Sequence, residues 1–96
     1  MNVQLDPVIH APNRLRICAM LAPLEEAEFK VLREELGVSD SVLSKQISQL
    51  VDAGYVKIRK AAVNGRQRTW AQLTDTGRNA FDRHIEALQR IIAGTG

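Results

Sequence analysis

The sequence predicts a small α+β protein, mostly helical, in which helical segments flank a two- to three-stranded antiparallel hairpin. Three observations carry that expectation. Two apolar-stepped segments, residues 29–36 and 39–50, stand on either side of Gly37. Beyond Gly54, two stretches of strand-forming residues meet at Asn64-Gly65, the dipeptide that most favours a two-residue type I′ turn. The last segment, from Asp75 onward, repeats apolar residues at helical spacing over a stripe too broad for one small domain to cover.

Asp6-Pro7 opens a helical turn, because aspartate accepts from orphan first-turn N–H groups and proline fits the first position. Leu5, Val8 and Ile9 make this N-terminal arm apolar. Pro12 restarts a helix that runs to about Leu21 and that Pro23 ends. Leu15, Cys18, Ala19 and Ala22 are expected on its inner face, with Ile17 and Leu21 broadening it. Residues 24–28 suit a short edge strand. The next helix, 29–36, turns Val31 or Leu32 inward together with Leu36, and Gly37 supplies a left-handed cap. Val38 plugs the turn, and Ser39 or Asp40 caps the following helix. There Leu43, Ile47 and Leu50 recur at i, i+4 and i+7 and define the buried stripe. At about 100° per residue, Ser41, Lys45, Ser48, Gln49 and Asp52 fall on the opposite face.

Tyr55 is expected to begin a strand. With Asn64-Gly65 as the loop, Val63 faces Arg66, and counting back pairs Val56 with Leu73 and Ile58 with Ala71 on one face. The same count sets Arg59 opposite Trp70 and Ala61 opposite Arg68 on the other. Arg59 over the indole ring forms a cation–π pair that holds the hairpin flat. Thr74 caps the final helix, with Asp75 in its first turn. Phe81, Ile85, Leu88 and Ile92 form one stripe of that helix, and Ala80, Ala87 and Ile91 an adjacent one. Gly94 ends it, and residues 94–96 are expected to fray. The predicted organisation is one domain over residues 1–96: an apolar arm (1–11), two helices across a tight turn (29–54), a hairpin (55–73) and a C-terminal dimerisation helix (75–93).

Composition narrows the function. A 45% hydrophobic, 25% charged chain of 96 residues is ordinary for a soluble protein. No apolar run reaches the roughly 18–20 residues of a membrane span, and no signal peptide opens the sequence, so a cytoplasmic location is expected. The single Cys18 fits a reducing compartment. Net charge is only +2, but its distribution is uneven. Between residues 24 and 40, Glu25, Glu26, Glu28, Glu34, Glu35 and Asp40 outweigh Lys30 and Arg33. Between 41 and 70, Lys45, Lys57, Arg59, Lys60, Arg66 and Arg68 face Asp52 alone. Two helices across a turn followed by a basic hairpin form a winged helix-turn-helix, a geometry that grips a DNA groove and its flanking phosphates. The expected partner is therefore double-stranded DNA. Ser39, Asp40, Ser41, Ser44, Lys45, Ser48 and Gln49 are the recognition-helix candidates. Lys57, Arg59, Lys60, Asn64, Arg66 and Arg68 are the wing candidates.

The motifs resemble the winged helix-turn-helix regulators of bacteria and archaea, in the compact branch related to the multiple-antibiotic-resistance (MarR) and arsenic-resistance (ArsR) repressors. The matching text is Asp6-Pro7, Pro12-Asn13-Arg14-Leu15-Arg16-Ile17, Leu36-Gly37-Val38-Ser39-Asp40, Leu43-Ser44, Leu50-Val51-Asp52-Ala53-Gly54-Tyr55-Val56, Gly65-Arg66, Arg68-Thr69-Trp70 and Leu73-Thr74-Asp75-Thr76-Gly77-Arg78. The resemblance covers nearly the whole chain. It implies a homodimer whose recognition helices enter successive major grooves while the wings reach the flanking minor grooves or backbone. Ser41, Ser44, Lys45 and Ser48 then face the groove, with Arg66 and Arg68 at the wing tip. Leu5, Val8, Ile9, Phe81, Ile85, Leu88, Ile91 and Ile92 are the expected dimer contacts.

Other chemistries find less in the sequence. His10, His84 and Cys18 lack the spacing of a metal site, since zinc needs three or four protein ligands. No cofactor motif, nucleophile–base pair or paired carboxylates point to an enzyme. Two alternatives stay open. A winged helix serving as a protein-interaction module would need an apolar outer face on 39–50, where Val42 stands alone. A ligand- or redox-gated sensor would use a pocket at the dimer interface or Cys18.

Overall fold

A computed structural model describes residues 4–94. Its elements run α1 (Pro7–His10), α2 (Pro12–Leu21), β1 (Ala27–Glu28), α3 (Phe29–Leu36), α4 (Asp40–Asp52), β2 (Val56–Val63), β3 (Arg66–Leu73) and α5 (Asp75–Ile92). The strands form one antiparallel sheet in the order β1-β3-β2. This is the mostly helical α+β winged fold. The first three residues of the expected arm, and Thr95 and Gly96 of the expected frayed end, lie outside the described residues.

Each boundary has a local cause. The Asp6 carboxylate accepts from the Val8 N–H at 2.9 Å and caps α1, with Pro7 at the first position. Gly37 ends α3 in the left-handed region (φ 67°), which costs glycine nothing sterically. Ser39, not Asp40, caps α4, accepting from the Val42 N–H at 3.2 Å. Thr74 caps α5 through the Gly77 N–H at 2.9 Å. Asn64 (φ 52°) and Gly65 (φ 77°) both take positive φ, as a type I′ turn requires. The resulting register pairs Val56 with Leu73, Ile58 with Ala71, Arg59 with Trp70, Ala61 with Arg68 and Val63 with Arg66, as the sequence predicts. The edge strand expected between 24 and 28 is β1, which sets Ala27 opposite Ala71 and Glu28 opposite Trp70.

The core gathers Ile17, Cys18 and Leu21 of α2 with Leu32 and Leu36 of α3 and the Leu43, Ile47, Leu50 stripe of α4. Val56, Ala71 and Leu73 close it from the sheet, and Ala80 and Phe81 from α5. Several expectations are corrected here. Ala19 is exposed, because the buried arc of α2 centres on Ile17, Cys18 and Leu21. On α3, Leu32 takes the inward position and Val31 is 49% exposed. The strand begins at Val56, one residue after Tyr55, whose amide still bonds the Leu50 carbonyl at 2.9 Å and so completes the end of α4.

The molecule is long for its size. Its principal extents are 53 × 25 × 22 Å and its radius of gyration is 14.4 Å, against about 12–13 Å for a compact chain of this length. Two parts account for this. Lys57 to Lys60 are exposed on both faces of the hairpin, and the last turns of α5 leave Ile91 and Ile92 at 47% and 82% exposure.

Candidate nucleic-acid interface

The exposed face of α4 is where short polar side chains collect. Ser41, Ser44, Lys45, Ser48, Gln49 and Asp52 are all exposed, opposite the buried Leu43, Ile47 and Leu50. Arg14 of α2 holds Gln46 from the flank, Nη1 to Oε1 at 2.8 Å, so this glutamine is turned away from the open face. At the N-terminal end two of the expected residues already have partners. The Ser39 hydroxyl caps the helix and lies 3.2 Å from the Ser41 hydroxyl. The Asp40 carboxylate accepts from Arg33 at 2.7 Å. Arg33 thereby neutralises the one acid in the first turn of α4.

The wing presents its charges unequally. Arg59 lies over the Trp70 ring, 4.0 Å from guanidinium carbon to centroid, which is the predicted cation–π pair. It also reaches past the indole to the residue before β1 and forks onto Glu26, at 2.7 and 3.2 Å. That bidentate hydrogen bond holds the Glu26 carboxyl below its usual range. Arg68 stands 3.7 Å from Glu28. Two of the five wing cations are thus matched by acids in or just before β1. Lys57, Lys60 and Arg66 make no ion pair among the described residues.

An open cleft of about 490 Å³ separates the wing from the start of α3. Lys30 and Arg33 line one wall, Arg66 and Arg68 the other, with Glu28 and Asp40 between them. Lys30, Arg33 and Arg14 lie outside the recognition-helix and wing residues expected from the sequence. No spacing signal marks them, because α2 and α3 bring them to the interface only through tertiary packing.

A second polar cluster ties the arm to the root of the wing. Tyr55 donates its hydroxyl to the Asp6 carboxylate, and the Asp6 N–H donates to Nδ1 of His84 at 2.9 Å. With Nδ1 accepting, neutral His84 carries its proton on Nε2, which faces Nδ1 of His10 at 3.3 Å. His84 is 1% exposed, and burial first, then the neighbouring His10, lower its pKa below the ordinary 6.5. Cys18 is also enclosed, and burial followed by the Asp6 charge pushes its thiol up to about 11. A buried thiol of that kind is unreactive. Among the described residues, no group of three or more His, Cys, Asp or Glu is placed to hold a metal ion, and no helix is long and apolar enough to cross a membrane.

Of the expected dimer contacts, Ile91 and Ile92 are exposed, while Leu5, Val8, Ile85 and Leu88 are half-buried. Ile9 is fully buried in the chain's own core and Phe81 is 8% exposed. Ile9 is covered by its own chain, because α1 packs against α2, α4 and α5.

A family model described as a winged helix DNA-binding domain matches residues 13–92. An uncharacterized protein of Methanocaldococcus jannaschii is 38% identical over 83 residues, 85% of this chain and 90% of the relative. The transcriptional regulator homologue of Pyrococcus horikoshii OT3 superposes with a TM-score of 0.85 at 30% identity, over 91% of this chain and 86% of that one. The PcaV transcriptional regulator of Streptomyces coelicolor, solved with its natural ligand, shares the fold at TM-score 0.72 and 18% identity, over 94% of this chain and 64% of its own.

Proposed function

The chain belongs to the family of winged helix DNA-binding domains, and from that premise we propose that it is a sequence-specific transcriptional regulator that represses by covering a promoter. One observation carries the reading: an exposed α4 face of small polar side chains with Lys45, flanked by a hairpin whose Lys57, Lys60 and Arg66 have no acidic partner among the described residues. Short side chains let the helix enter a major groove about 12 Å wide, and unpaired cations are what phosphates attract. Ser41, Ser44, Lys45, Ser48 and Gln49 face the bases in this reading. Ser39 and Asp40 shape the end of the helix, and Arg66 leads the phosphate contacts. Arg59, held by Trp70 and Glu26, stiffens the wing.

The protein acts as a homodimer on a pseudo-palindromic operator with half-sites about 34–36 Å apart. The exposed Ile91 and Ile92 at the end of α5 support that assembly. Binding titrations at several salt concentrations test the DNA contact. Arg66→Ala should lower affinity for every duplex and flatten the log–log salt slope by about 1 per protomer. Arg59→Ala should leave the slope unchanged. Equal slopes for wild type and Arg66→Ala would remove Arg66 from the interface. Sedimentation of Ile91→Asp/Ile92→Asp should show monomer where the wild type shows dimer, and an unchanged dimer would place the contact elsewhere.

A further inference from the structure

Val42 is the one large apolar side chain exposed on α4. It is 38% exposed although it stands in the first turn of the helix, its amide fixed by the Ser39 hydroxyl. At 100° per residue, Val42, Lys45 and Gln49 fall in one row at i, i+3 and i+7, away from the buried stripe. Gln46, which would flank Val42, is held aside by Arg14. Neither the Lys45 nor the Gln49 side chain has a hydrogen-bond or ion-pair partner among the described residues. The row therefore presents a branched apolar group, an ammonium and a carboxamide in sequence.

Resting on the reading of α4 as the recognition helix, we propose that Val42 sets base specificity by packing on the C5-methyl group of a thymine in the major groove. That methyl is the apolar feature of the major-groove edges, so an apolar side chain discriminates there by contact where a serine has no such preference. The first residues of a recognition helix are the ones that reach base edges. Ser41, which precedes Val42 on the exposed side of the first turn, is short enough to permit the approach. The pairing of Asp40 with Arg33 at 2.7 Å removes an uncompensated negative charge from the same end. Gln49 lies seven residues on, about 10.5 Å along the helix, which is the rise of about three base pairs. Its carboxamide suits an adenine.

The test begins with duplexes that the full-length protein retains from a random pool. Each thymine is replaced in turn by deoxyuridine, which lacks only the methyl group. One thymine per half-site should show binding weakened by about fourfold when its methyl is removed. Val42→Ala, at an exposed helical position where alanine is favourable, should bind the thymine and uracil forms of that site equally. Wild-type protein indifferent to every thymine methyl overturns the assignment while DNA binding stands. So does a Val42→Ala protein that keeps the same sensitivity. If the wild type retains no duplex from the pool, the recognition-helix reading falls, and the role of Val42 falls with it.

Discussion

Replacing Gly77 with alanine probes the contact that seats α5 on the root of the wing. A Cβ at this position lies 2.0 Å from the Tyr55 carbonyl oxygen, 2.8 Å from its carbon and 2.9 Å from its Cα. All three are backbone atoms, so no change of rotamer relieves the clash. Ordinary contact begins near 3.4 Å, so the helix must retreat by roughly 1.4 Å. That movement strains the bond from the Thr74 N–H to the Tyr55 carbonyl, 3.0 Å. It also strains the bond from the Thr74 hydroxyl to the Gly54 carbonyl, 2.6 Å. Overpacking costs about 1–3 kcal/mol, and two weakened hydrogen bonds about 1 kcal/mol each. The helical preference for alanine over glycine returns about 1 kcal/mol. The net loss is roughly 2–4 kcal/mol, a fall in melting temperature of about 10–30 °C for a chain of this length. Thermal unfolding followed by circular dichroism reads it, with Asn79→Ala, exposed in the same helix, as the control. A Gly77→Ala protein melting at or above the wild-type temperature would refute the argument, since propensity alone predicts that sign.

Two further outcomes follow from the buried groups. The His84 pKa is lowered by burial and by His10, so the unfolded chain binds the proton more readily than the folded one. His84 therefore contributes stability that is full above its unfolded pKa of about 6.5 and is lost as pH falls below that value. Melting temperatures measured from about pH 7.5 down to 5.5 should drop more steeply for the wild type than for His84→Asn, which keeps an acceptor for the Asp6 N–H but does not titrate; parallel curves would contradict this. Cys18, enclosed and with its thiol near 11, should resist a thiol-specific disulfide reagent at pH 8 in the native protein and react once denatured. Rapid native reaction would reopen the redox-gated alternative.

What was legible in the sequence is what local chemistry decides. Gly37, Ser39, Thr74 and Asn64-Gly65 each set a boundary through their own backbone or side chain. The two-residue period of the strands then carries the hairpin register from the turn to Leu73. The site was only partly legible, because its electrostatics depend on residues far apart in the chain. Arg59 and Glu26 are 33 residues apart, Arg14 and Gln46 are 32, and Asp6 and His84 are 78. A basic run such as 57–60 looks uniformly available in sequence. In the fold, the third of its residues faces Trp70 and an acid, while its neighbours do not. Ile9 is a similar case: its apolar side chain signals burial but does not say whether its own chain or a partner covers it, and here its own chain does.

The same pairing bounds how strongly salt can affect binding. If all six cations from Lys45 to Arg68 met phosphates, the log–log slope would approach about −5.4 per protomer at 0.9 per contact. Arg59 and Arg68 already have Glu26 and Glu28 beside them. A phosphate that draws either arginine away leaves a glutamate to be neutralised by solvent cations, so little net counterion release results. Arg59 would in addition leave its place over Trp70. Lys45, Lys57, Lys60 and Arg66 remain, Lys30 on the cleft wall adds a fifth cation with no ion pair among the described residues, and the slope should be no steeper than about −4.5 per protomer. Titrations of one selected duplex between low and moderate salt measure it directly. A slope near −6 per protomer would mean that Glu26 and Glu28 release their arginines on DNA, and the wing would then be a charge reserve opened by binding. Glu26→Gln separates the two cases: it should steepen the slope by about 1 if Arg59 is withheld by Glu26, and leave it unchanged if Arg59 already contacts phosphate.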